Sequence, residues 1–110
     1  MSSAWTKLAG VSGALAVGVG AYGAHGFKPK DPKYEKVFDT ASRYHMLHSL
    51  ALLAAPSARY PALTGGLLSA GMLTFCGSCY VVAFKEDRAF AKVAPIGGMA
   101  LIAGWLSFVL

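Results

Sequence analysis

Residues 60–84 read YPALTGGLLSAGMLTFCGSCYVVAF, a run without one charged side chain. An α-helix rises about 1.5 Å per residue and the hydrocarbon core of a bilayer is about 30 Å thick, so roughly 20 such residues cross it. This run is long enough to cross with some tilt. With histidine set aside, three further uncharged runs occupy 8–27, 44–58 and 93–110. The first fits a span directly, the last is slightly short, and the run at 44–58 is the weakest. Only 14% of the chain is charged and its mean hydropathy is +0.51, whereas a soluble domain is about one quarter charged. Scarce charge, clustered between long uncharged stretches, marks a chain whose main solvent is lipid.

The weak run gains length from its approach. Asp31-Pro32 suits a helix start, with Asp as the cap and Pro at the first helical position. Downstream, Tyr34, Val37, Phe38, Ala41, His45, His48 and Leu52 recur at spacings of three and four, which is one face of a helix. Lys33, Lys36, Asp39 and Arg43 lie mostly on other faces. The pattern predicts a helix whose first turns stand outside the hydrocarbon, with Pro56 marking its end and Pro61 the next start. The expected fold is all-α, a single membrane domain over residues 1–110. It is a polytopic bundle of four transmembrane helices, with spans near 8–26, 40–57, 61–84 and 91–110 and a short amphipathic extension before the second helix. Lys7, the first apolar run and Val19-Gly20-Ala21 also mimic a signal peptide, but the run is long for a signal core and reads as a span.

Four spans divide the ten basic residues unevenly. Lys28, Lys30, Lys33, Lys36 and Arg43 fall around the first loop and Lys85, Arg88 and Lys92 in the third, against Lys7 and Arg59 on the other side. Eight against two predicts that loops one and three face the cytoplasm or matrix and that both termini face outward. The net charge of +5 is thereby explained by membrane headgroups, and no nucleic-acid partner is expected.

Without water to drive helices together in lipid, close backbone contact matters more, and small residues permit it. Gly10, Ala14 and Gly18 recur every four residues, as do Ala16, Gly20 and Ala24. Gly66 pairs with Ala70 and Gly65 with Ser69, while the last run carries Gly97, Gly98, Ala100 and Gly104. These stripes serve either the bundle itself or a partner chain. Trp5, Tyr60, Tyr80 and Trp105 are candidate interfacial anchors, although Tyr80 and Trp105 could instead face the bundle.

His25, His45 and His48, with Ser49, form the one constellation that could carry chemistry. The first loop joins the end of the first span to the start of the second, so the three imidazoles are expected near one membrane face. There they could bind a metal, ligate a haem or relay protons. The competing reading is a set of hydrogen bonds joining helices one and two, and the absence of a carboxylate within the spans favours it. Cys76-Gly-Ser-Cys79 has the spacing of a redox or zinc motif but sits deep in an apolar run, where inert thiols are expected. No catalytic triad, phosphate-binding glycine loop or paired-carboxylate site is visible, so no enzyme activity, cofactor or metal is expected.

YGAHG at 22–26, FDTASRYHMLHSLA at 38–51, FC at 75–76, APIGG at 94–98 and GWL at 104–106 together resemble the transmembrane protein 256 family, over nearly the whole chain in order. Cys79 departs from that pattern. The resemblance implies a four-helix membrane protein of the mitochondrial inner membrane, with a bacterial plasma membrane as the alternative, and it brings no catalytic residues. Small size, small-residue helix faces and no visible active site then lead to an accessory or assembly subunit of a larger membrane complex, with the respiratory chain as candidate. The lipid bilayer and other membrane subunits are its expected partners. The alternative is a protein that binds or transports a small ligand (metal, haem, quinone or lipid) through the histidines.

Overall fold

The computed structural model describes residues 3–110. Four helices follow one another: α1 (Ala4–His25), α2 (Lys33–Ala54), α3 (Pro61–Lys85) and α4 (Ala94–Ser107), with short 3-10 turns at Ala55–Ser57 and Arg88–Lys92. The start of α1 is fixed by Ser3, whose hydroxyl accepts the N–H of Thr6 at 3.1 Å and so satisfies one of the unpaired donors of the first turn. Helix α2 begins one residue later than expected, at Lys33. Pro32 takes the cap position, without a side-chain cap bond, and Asp31 before it accepts the Lys33 N–H at 3.1 Å. The last apolar run is regular helix only over 14 residues. Pro95 lies in the first turn of α4, and the chain before it winds as a 3-10 turn.

Three segments, Ala4–His25, Pro61–Lys85 and Arg88–Ser107, are long and apolar enough to cross a membrane. Helix α2 matches them in length but carries Lys33, Glu35, Lys36, Asp39 and Arg43 in its first half. Its uncharged second half packs into the bundle and supplies Ala51 and Leu52 to the core. The helices run antiparallel in sequence order, each lying against the next, and α3 is the central one, with α2 on one side and α4 on the other. The bundle is flattened, 45 × 26 × 16 Å, and exposes 6624 Å², above the roughly 5,800 Å² typical of a soluble protein of this mass.

What is exposed is apolar. In the most apolar stretch of α1 only 11% of residues are buried, against 39% in α3. Val11, Leu15, Val17, Leu73, Ile96 and Met99 all point outward. In water such a surface would aggregate; against lipid tails it is already solvated.

Two devices hold the basic end together. Rings of Tyr22, Phe27, Phe38, Tyr80 and Phe84 interlock α1, α2 and α3, with Phe27 stacked on Phe38 at 4.7 Å and Phe38 edge-on to Tyr80 at 5.3 Å. Glu86, just past α3, adopts a left-handed backbone (φ 50°) usually left to glycine. Its carboxylate accepts the Asp31 N–H at 2.8 Å, which ties loop one to loop three.

Glycines set the helix spacing. A methyl at Gly97 would collide with the backbone N–H of Phe75, at Gly71 with Leu101 (2.9 Å), and at Gly104 with Leu68 (2.8 Å), so α3 and α4 touch nearly backbone to backbone. A methyl at Gly10, Gly18 or Gly66 would meet nothing within 4 Å. Gly97→Ala is therefore expected to destabilise the bundle by about 1–3 kcal/mol, because a backbone cannot step aside as a side chain does. Gly10→Ala is expected to be neutral or stabilising by up to about 1 kcal/mol. Unfolding midpoints of the two variants in one detergent, compared with the parent, check the contrast.

Candidate functional site

Most of the polar links between helices start from α2. One turn of it presents His45, His48 and Ser49, and each reaches a different neighbour. Ser49 meets Ser12 of α1, hydroxyl to hydroxyl, at 2.6 Å. His45 Nδ1 lies 3.0 Å from the phenol of Tyr80 on α3. The indole N–H of Trp105 on α4 donates to His48 Nε2 at 3.0 Å.

Proton bookkeeping fixes the state of His48. Trp105 has only a donor, so Nε2 of His48 must accept; Nδ1 must then carry the hydrogen and donate it to the Tyr44 carbonyl at 2.7 Å. Both ring nitrogens are occupied, and the imidazole is neutral and buried. A metal would have to displace one of these partners. Ser49 is equally committed: its hydroxyl donates to the His45 carbonyl at 2.7 Å, leaving its oxygen to accept from Ser12. Away from α2, the Thr64 and Ser107 hydroxyls meet at 2.6 Å between α3 and α4.

The expected clustering of three histidines at one face does not occur. His25 is exposed at the end of α1, beside the start of α2. Because α2 begins at Lys33, His45 lies about three turns into it, roughly 18 Å along the axis, in the middle of the bundle. The imidazoles do not serve the α1–α2 contact alone: His48 bonds to α4 and His45 to α3, with the Ser12 backbone of α1 also in reach of His45, while Ser49 and Ser12 join α2 to α1. Among the described residues no three His, Cys, Asp or Glu side chains gather in a way that could hold a metal.

Cys76 is buried and Cys79 half-buried, both unoxidised, on successive turns of α3. Of the expected anchors, Trp5 lies against Gly65, Tyr80 and Trp105 are tied to histidines, and Tyr60 alone stands at a turn, under Arg59. Sequence reading passed over Ser12, Thr64 and Ser107. Their signal was present, a lone hydroxyl within an apolar run, where an unpaired polar group is disfavoured.

The small residues divide into two sets. A methyl at Gly20 would come within 3.2 Å of the Ser42 hydroxyl, one at Gly97 or Gly104 would collide with α3, and one at Gly98 would make ordinary contact with Phe75 at 3.8 Å. Gly10, Ala14 and Gly18 on α1, and Gly66 and Ala70 on α3, are not covered by the rest of the chain. Between α1 and α3 runs an apolar groove of about 500 Å³, open sideways, with Leu8, Val11 and Leu15 on one wall, Ala70 and Leu73 on the other, and His45 at its floor. The Ser69 hydroxyl beside it is buried without a hydrogen-bond partner.

A family model described as a protein of unknown function, DUF423, matches residues 19–98. The chain is similar to the UPF0382 membrane protein YwdK of Bacillus subtilis, 37% identical, with 93% of this chain and 89% of that protein covered. It is also similar to the UPF0382 membrane protein SSP2132 of Staphylococcus saprophyticus (38% identical; 94% and 91% covered) and to C1782.12c of Schizosaccharomyces pombe (34%; 94% and 96%). These bacterial and yeast relatives accord with the resemblance read from residues 22–26 and 38–51. No solved structure matches the chain.

Removing either partner of the His48–Trp105 pair leaves the other unpaired in an apolar setting. A double-mutant cycle of His48→Ala and Trp105→Phe is expected to show a coupling energy of about 0.6–1.7 kcal/mol, the range of hydrogen bonds between membrane helices. Detergent unfolding of the four proteins measures it, and strict additivity would mean that the bond contributes nothing.

Proposed function

The chain belongs to the DUF423 family of membrane proteins, and from that premise we propose that it is a non-catalytic accessory or assembly subunit of a larger membrane complex. The observation that carries this reading is the uncovered small-residue face. Gly10, Ala14 and Gly18 form a stripe on the outside of α1, and Gly66 and Ala70 form a second on α3. Exposed glycines on a lipid-facing helix add flexibility and little packing when only acyl chains cover them. Against another helix they permit the close backbone approach that holds membrane helices together. Of these small residues, Ala70 also lines the groove between α1 and α3.

The buried imidazole chemistry supports the same view. His48 is spent on holding α4, and Ser49 on holding α1. A second reading retains the groove as a site for a small neutral ligand, favoured by His45 at its floor and the unpartnered Ser69 hydroxyl beside it. For orientation, the concentration of seven basic residues at one end, against Lys7 and Arg59 at the other, supports loops one and three on the cytoplasmic side or, in a mitochondrial inner membrane, the matrix side. The resemblance supports the mitochondrial setting, and with it a partner among respiratory-chain complexes.

The test is extraction of a C-terminally tagged chain from its native membrane in a mild detergent, followed by a native gel and mass spectrometry of the band. Photo-crosslinkers placed at Gly10 and Gly66 accompany it. Migration with a much larger complex, and crosslinks to other chains from those two positions, are the expected results. A monomeric band whose crosslinks reach only lipid would contradict the subunit reading.

A further inference from the structure

The basic end holds a pocket that the bundle's own packing does not require. The first turns of α2 and the 3-10 turn Arg88–Lys92 stand apart there and enclose about 200 Å³. Lys33 and Arg88 stand at its rim, and Val37, Val82, Ala91 and Ala94 are among its walls. We propose that this pocket is a binding site for one anionic phospholipid, its phosphate between Lys33 and Arg88 and the start of its acyl region on the apolar wall.

Charge complementarity carries the assignment. Arg88 has no carboxylate within ion-pair distance among the described residues. The nearby acids are engaged elsewhere: Asp87 accepts the Ala89 N–H at 2.9 Å, and Glu86 accepts that of Asp31. Lys33 is shared, with its ammonium 3.5 Å from Asp31 and 5.3 Å from the centre of the Tyr34 ring. Both side chains are exposed, so each keeps its charge at little desolvation cost and can swing onto a ligand.

The walls choose among anions. A free phosphate would touch only the two cations at the rim and leave the apolar walls bare. A zwitterionic lipid would carry a cation of its own toward two others. An anionic phospholipid fits both parts, because its phosphate meets the two cations while its glycerol and the start of its acyl chains meet Val37, Val82, Ala91 and Ala94.

The test uses the full chain purified in detergent, titrated with dioleoyl phosphatidylglycerol and followed by native mass spectrometry, which counts lipids bound per chain. Lys33→Gln with Arg88→Gln is compared with Lys30→Gln with Lys36→Gln, which removes the same charge from the same end outside the pocket. Both pairs are exposed, and circular dichroism checks that the helices persist. The pocket pair is expected to weaken binding of the first lipid roughly 10- to 30-fold, while the control pair changes it less than about 2-fold. Lys33→Arg with Arg88→Lys is expected to retain binding. Equal losses from the two Gln pairs would overturn the site in favour of diffuse attraction. Phosphatidylcholine binding as tightly as phosphatidylglycerol would overturn the charge recognition, and displacement by millimolar inorganic phosphate would overturn the lipid as occupant.

Discussion

Inside hydrocarbon a polar side chain cannot turn to water, and that constraint organises this bundle. Nearly every hydroxyl or imidazole buried between the helices has a partner on the same or another helix, Ser69 being the exception among the described residues. A single turn of α2 makes most of these connections, through Ser49 to Ser12 on α1, His45 to Tyr80 on α3 and His48 to Trp105 on α4. Apolar packing between helices has little directional content in lipid, where the surrounding tails are as apolar as leucine. The hydrogen bonds therefore fix which faces meet, and glycine contacts between α3 and α4 then fix how closely. The least apolar helix is the one that locates the other three, and the charges that lower its hydropathy lie in its first half, away from those bonds.

Much of this was legible in the chain. Uncharged runs located α1, α3 and α4, and the three-and-four spacing from Tyr34 to Leu52 identified α2 as one continuous helix. The depth of the histidines follows from the same helix. Loop connectivity brings His25 near the start of α2, but a helix that starts at Asp31-Pro32 or Lys33 alike carries His45 about three turns and His48 about four turns beyond it, and the expected cluster left that rise out of account. Nor did spacing alone tell which small residues would be covered. Gly97 and Gly104 look no different in sequence from Gly10 and Gly18, yet the first pair is closed by α3 and the second pair is open. That distinction depends on the order in which helices lie beside one another, which a lipid-facing periodicity does not encode. Ser12 and Thr64 were missed for the opposite reason, since a lone hydroxyl in an apolar run means little until its partner helix is known.

The two ends and the flank of the bundle have different chemistries. The end carrying loops one and three holds seven basic residues, with Arg43 further along α2, together with the interlocked aromatic rings and the Glu86–Asp31 tie. The opposite end carries only Lys7 and Arg59. Along the flank, α1 presents an apolar face interrupted by uncovered glycines, beside the groove it forms with α3. Of the three imidazoles, His45 and His48 bond to neighbouring helices, whereas His25 stands exposed at the end of α1.

All of this depends on α2 crossing the membrane despite its charged first half, so that both basic loops share one side. The most direct measurement is labelling of single cysteines in sealed, oriented vesicles with a membrane-impermeant maleimide, on a Cys76→Ser, Cys79→Ser background. Lys30→Cys and Lys92→Cys are expected to react from the same side, and Ser57→Cys only from the other. Reaction of Ser57→Cys from the side of Lys30→Cys would show that α2 does not cross, and would contradict the four-span bundle.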